Sequence, residues 1–199
     1  LPAKHQVDNI FNRAPNLIFQ SEDMQEMILR RMLLFGAVLS LAAVAVAQGN
    51  RGAAEVTIKG KKISIDYGRP HLGGHGVSEL PAGAVWRLGM NEATRIETAG
   101  DLGIGSQTLK AGKYTVWVKR AGENGWILAF HPKTEGQNGR RLWGEPAMTE
   151  GFVGELPLKL EKAKDSADQV TISLAEAKGK GWIKIQWGTD LLIGSFDVK

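Results

Sequence analysis

The chain contains no cysteine. Disulfides, thiolate metal ligands, a thiol nucleophile and a lipid anchor on Cys are therefore excluded, while the compartment stays open because a domain of this size does without bridges. Charge of one sign is scarce as well. Lys and Arg total 25 against 21 acids, with the signs interspersed, so the concentrated basic stripe of a nucleic-acid footprint is missing. No Gly-x-Ser-x-Gly elbow surrounds any of the serines. Gly103-Ile-Gly105 lacks the strand-loop-helix context of a phosphate cradle. Nothing implies a cofactor.

Long apolar runs are nearly absent, and the exception is informative. Met32–Ala47 is uncharged over sixteen residues, short of the roughly 18–20 that span a bilayer. Arg30 and Arg31 precede it, and Ala45-Val46-Ala47 ends it with a small-x-small pattern before Gln48. A positive n-region, an apolar stretch and a small-residue site, in that order, are the parts of a cleavable secretory leader. The expected layout is a leader over 24–47 cut after Ala47, then one mature domain over 48–199. Such a chain is periplasmic or secreted and keeps no membrane anchor. Residues 1–23 precede the leader, and Met24 or Met27 offers a start, so they are expected to be an upstream extension.

The mature part alternates with period two. Ile63, Ile65 and Tyr67 are interleaved with Ser64 and Asp66, and Tyr114, Val116 and Val118 with Thr115 and Trp117. The same holds for Leu156 to Leu160, Val170 to Leu174 and Ile183 to Trp187. Each run presents one apolar and one polar face. Trp126–Phe130 is apolar throughout and fits a strand covered on both sides. Turn chemistry falls at Ala111-Gly112, Glu123-Asn-Gly125, Gly179-Lys-Gly181 and Gly188-Thr-Asp190. Gly179–Val198 reads as a terminal hairpin. The fold class is all-β: a single-domain antiparallel β-sandwich or flattened barrel of about ten strands, preceded by the helical leader. Arg69–Ala84 and Pro132–Gly154 remain as long irregular stretches, the kind that carry function on a rigid scaffold.

Polar and special residues are densest from Asp66 to Gly76 and from Val85 to Thr94. Tyr67-Gly-Arg-Pro70, Trp86-Arg87, Gly89-Met-Asn-Glu-Ala-Thr94 and Leu109-Lys-Ala-Gly-Lys-Tyr114 resemble the signature of the bacterial domain of unknown function 2911. Trp143-Gly144 and the Trp182–Trp187 strand are similar too, so the resemblance spans roughly 52–198. It implies an exported or envelope-associated β-rich domain with no established activity. The chain departs from the pattern at Gly74-His75, where Gly-Arg is commoner, and in a shorter, less apolar stretch before Trp86-Arg87.

The residues suggest a ligand site made of Arg69, Trp86, Arg87, Asn91, Glu92 and His75. Guanidinium forks suit carboxylate or phosphate, and pockets set such groups against aromatic walls. Asp66 and Glu92 stand as candidate partners for Arg69 and Arg87, which would instead make the arginines ties between loops and strand ends. Trp117 and Trp182 fall on polar strand faces, where sugar-stacking residues sit, although most half-buried tryptophans pack beneath loops. The leading expectation is a non-catalytic module for a small polar or anionic ligand, a glycan or an envelope partner. One alternative is a metal-assisted or acid/base hydrolase using His71, His75, His131 and Glu79. His71 and His75 are four apart, but Leu-Gly-Gly between them disfavours a helix. The other alternative is a purely structural envelope protein with an exposed apolar patch or sheet edge and no pocket.

Overall fold

The computed structural model describes residues 50–73, 76–136, 139–142 and 148–199. The 1–23 extension, the 24–47 leader, His75 and Trp143-Gly144 lie outside the described residues. The elements in chain order are β1 (Arg51–Ile58), β2 (Lys61–Gly68), β3 (Val85–Trp86), β4 (Arg95–Thr98) and β5 (Leu102–Ile104). Then come β6 (Gln107–Leu109), β7 (Gly112–Ala121), β8 (Gly125–His131), β9 (Gly154–Ala177) and β10 (Lys180–Val198). One 3-10 turn, Val77–Glu79, interrupts the first irregular stretch, and no α-helix occurs among the described residues.

All ten strands belong to one antiparallel sheet, ordered β1-β2-β4-β7-β8-β9-β10-β5-β6, with β3 pairing off the path to β7. The alternation explains the inner layer. Ile63, Ile65 and Tyr67 of β2 are buried, and the register sets Ile65 beside Ala54 and Ile63 beside Val56 of β1. The β1–β2 turn places Lys59 and Gly60 at φ 50° and 72°, the left-handed pair of a tight hairpin. Among the described residues, no helix is long and apolar enough to cross a membrane.

Two departures from simple alternation matter. Thr115 and Trp117 of β7 are as buried as Val116 and Val118, and the chain leaving β8 meets Thr115 at Lys133. Trp117 Nε1 donates to Thr115 Oγ1 at 3.2 Å, and that hydroxyl donates to the Lys133 carbonyl at 2.9 Å. Trp117 is thus a packing residue.

The second departure is the size and shape of the last hairpin. Gly179–Val198, expected to be a hairpin by itself, is instead almost wholly the single strand β10; the turn falls at Lys178-Gly179, and the hairpin joins strands of 24 and 19 residues. Gly188-Thr-Asp190, expected to be a turn, is instead an irregularity within β10, with Gly188 at φ 62°. There β9 advances from Lys162 to Thr171 while β10 advances only from Gln186 to Asp190. A bulge of that size bends the ribbon. The near half pairs with β8, and the far half turns back so that Val170, Ile172 and Leu174 join the β1–β2 residues in one core. The sheet is open but folded onto itself.

Candidate functional site

The outer face of β1, β2, β4 and β7 carries a concave trough of about 470 Å³. Register explains its shape. Ala53, Asp66, Arg95 and Thr115 form one cross-strand row, and Glu55, Ser64, Glu97 and Lys113 the next. Small side chains at Ala53 and Ser64 make the floor, and longer charged ones make the walls. Lys62–Glu55 (2.6 Å) and Lys113–Glu97 (3.5 Å) are exposed ion pairs at the edges. Pairs of this kind contribute little to stability but set the local charge.

At one end stands a four-residue ion network. Arg141 Nη1 donates to Asp66 Oδ1 at 2.7 Å and to Glu92 Oε2 at 3.0 Å. Arg51 Nη2 contacts the same Asp66 oxygen, and Arg51 Nη1 reaches the Glu92 carbonyl at 3.5 Å. Burial alone would pull the Arg141 guanidinium down, but Asp66 and Glu92 outweigh it and raise its pKa above the ordinary value. Both carboxylates are therefore already engaged. Arg95, half-buried in the trough beside Asp66, has no hydrogen bond or ion pair among the described residues.

The sequence-derived residues are spread over three places. Arg69 and Asp66 are not partners: Asp66 points out from β2, whereas Arg69 lies past the strand end and donates from Nε to the Val170 carbonyl at 3.3 Å. Glu92 meets Arg51 and Arg141 rather than Arg87, because Leu88 and Asn91, at φ 49° and 60°, reverse the chain between positions 87 and 92. Arg87 is half-buried with no polar partner among the described residues, and Asn91 is exposed. Trp86 stacks on Trp187 at 5.3 Å between ring centroids. His71 faces Gln169 at 3.1 Å, while His131 ends β8 against Phe152 and accepts from Lys133 N at 3.0 Å. Among the described residues no three His, Asp or Glu side chains gather as a metal site would need.

A second cavity, about 330 Å³, opens where the 3-10 turn meets the bend of the hairpin. At its base Asp190 has only 5% of its side chain exposed. Ser78 donates to Asp190 Oδ2 from its backbone nitrogen (2.8 Å) and its hydroxyl (2.6 Å), and Lys162 Nζ donates to Oδ1. Burial pushes the Asp190 carboxyl up, but the bonds from Lys162 and Ser78 win and hold it below its usual value. With its folded pKa depressed, Asp190 adds stability that is present above the unfolded value, about 3.9, and is lost as pH falls through the lower folded value. The 3-10 turn is expected to release in that window. Tryptophan emission during acid titration should show a step that Asp190→Asn lacks; identical titrations would remove Asp190 as the latch.

Neither Arg95 nor Asp190 was singled out by motif. Alternation alone exposes both: Arg95 is the outward neighbour of Ile96, and Asp190 shares the inward phase of Gly188, Leu192 and Phe196. An acid on the inward phase of a strand is the signal.

No curated protein and no solved structure matches the chain. A family model described as "Protein of unknown function (DUF2911)" matches residues 50–192. That span holds β1, the trough, the ion network and Asp190, and over it the chain belongs to the DUF2911 family.

Proposed function

We propose that the domain is a non-catalytic exported module that binds a small polar ligand bearing a carboxylate, such as an acidic sugar, in the trough of β1, β2, β4 and β7. One observation carries this reading. Arg95 presents a half-buried guanidinium with no partner among the described residues, above a floor of Ala53 and Ser64 and beside a carboxylate already engaged by two other arginines. A planar five-donor fork so placed suits a bidentate carboxylate, and the surrounding hydroxyl and charged groups suit sugar hydroxyls. The purely structural alternative draws less support: the open sheet leaves β1 and β6 at its edges, but a cavity is present and Val153 is the one large hydrophobic exposed among the described residues.

Glucuronate and glucose are the discriminating probes. Glucuronate is expected to shift the amide signals of Ala53, Ser64 and Arg95 saturably, and glucose much less. Arg95→Gln should weaken glucuronate about tenfold or more, as the loss of a charge-assisted bond implies. No saturable shift, or binding indifferent to Arg95→Gln, would sink the proposal. Export makes a separate prediction: the mature protein should begin at Gln48, and N-terminal sequencing of exported material that still carried Lys4–Gln20 would contradict it.

A further inference from the structure

We propose that the cavity at Asp190 is a second binding site, for a small primary ammonium on a short apolar stem, and that Lys162 fills it in the free protein. The site differs from the trough in place and in charge, so the two proposals stand or fall separately.

A deeply buried carboxylate is its base, and the two oxygens of that carboxylate are held differently. Oδ2 takes both Ser78 bonds, one from the backbone, so it is fixed by the fold. Among the described residues Oδ1 takes only the Lys162 ammonium, which arrives on a stem whose side chain is 66% exposed. Lys162 lies at the edge of the bulge in β9, where the register breaks, and can swing back into solvent without disturbing a strand pair beyond its own. Ordering a long side chain opposes its own docking, which favours exchange.

The walls fit the rest of such a ligand. Trp187 lines the cavity and is backed by Trp86 at an interplanar angle of 11°. Indole attracts ammonium through its ring quadrupole. Trp187 Nε1 is itself buried without a partner among the described residues. Leu72 closes one side and approaches Gly188 so nearly that a Cβ there would lie 3.0 Å from Leu72 Cδ1. A carboxylate, an aromatic ring and an aliphatic side chain in one lining, with Ser78, Glu79, Ser166 and Thr189 beside them, are surroundings for an alkylammonium. They do not suit the broader, planar guanidinium. The volume is at the lower end of ligand pockets, which limits the stem to a few carbons.

The probe is n-butylammonium, with n-butanol as its uncharged counterpart, at constant ionic strength. The indole N–H signal of Trp187 is the readout. Wild-type protein should show saturable, millimolar binding of butylammonium and no comparable response to butanol. Lys162→Met removes the internal competitor and should tighten binding about tenfold, because the receptive state is then no longer a minor fraction. Asp190→Asn should abolish it, and Arg95→Gln should leave it unchanged. The proposal is overturned if wild type gives no saturable shift up to about 50 mM, well into the range of millimolar affinity. An equal response to butanol, or affinity unmoved by Lys162→Met, overturns it as well, even if Asp190→Asn fails to fold.

Discussion

Gly68→Ala is expected to destabilise the domain by about 3 kcal/mol, the upper part of the range for overpacking. A Cβ at position 68 would stand 2.6 Å from the Met90 nitrogen and closer still to the Met90 carbonyl oxygen. Both are backbone atoms, so no rotamer change relieves the clash. Nor can the opposing segment simply retreat. Leu88 is fully buried at φ 49°, the Thr94 hydroxyl binds the Leu88 carbonyl, and Ala93 N donates to the Leu142 carbonyl at 2.8 Å. Gly89 at φ 138° already brings the site of its own missing Cβ to 3.0 Å from the Gly68 carbonyl oxygen. The two halves of the family signature, Tyr67-Gly-Arg-Pro70 and Gly89 to Thr94, thus meet backbone to backbone. Pushing them apart would also draw Glu92 away from Arg141, so glucuronate binding should fall with stability. Urea denaturation measures the first effect. Gly103→Ala is the control, since its nearest neighbour is the Asp197 Cβ at 3.3 Å, and it should cost less than about 1 kcal/mol. Equal effects of the two substitutions would show that the close approach at Met90 is unimportant.

That contact illustrates what a sequence conveys and what it withholds. The inner faces of β2, β7 and the strands of the last hairpin were legible because period two is a local property: Ile63, Ile65 and Tyr67 declare their face within five residues. The positions of the irregular stretches were legible for the same reason. The pairing of charges was not. Asp66 has Arg69 three residues away in sequence, yet its partners are Arg51, on the neighbouring strand, and Arg141, 75 residues on. Strand phase sends Asp66 outward and leaves Arg69 beyond the strand end, so the nearer arginine is the wrong one. The bend in the last hairpin was equally hidden. Gly188-Thr-Asp190 has turn chemistry, but a glycine at positive φ serves a bulge as well as a turn, and only the opposing strand decides between them. The candidate sites follow from these non-local facts. Arg95 matters because Asp66 is taken by others, and Asp190 matters because the β9–β10 register sets Lys162 opposite it and the 3-10 turn brings Ser78.

Tyr67→Phe should destabilise the domain by about 2–3 kcal/mol, although it removes a single oxygen atom. The Tyr67 hydroxyl accepts from Ile172 N at 3.0 Å and donates to the Ile172 carbonyl at 3.2 Å. The hydroxyl therefore does for one residue of β9 what a neighbouring strand would do, at the corner where the sheet folds over but does not close. Phenylalanine keeps the ring, whose place is set by Gly52: a Cβ there would come within 2.6 Å of the Tyr67 Cζ. No cavity opens, so the loss isolates the hydrogen bonds. It leaves a buried N–H and a buried C=O unpaired, which is the expensive side of hydrogen bonding in proteins. Two readouts separate this account from a general loosening. The Ile172 amide should lose most of its protection from hydrogen exchange, while Ile63 and Leu128, buried at 0% exposure in strands paired by backbone, should lose protection only in step with global stability. Arg69 and Pro70 continue the same seam, with Arg69 Nε on the Val170 carbonyl and Val170 N on the Pro70 carbonyl at 3.1 Å. Arg69→Met should then weaken the corner in the same sense but less, because its bond is longer and only partly buried. If Tyr67→Phe proved neutral, the hydroxyl would not be closing the corner, and the fold of β9 over β2 would rest on side-chain packing and on the Arg69–Val170 and Val170–Pro70 bonds.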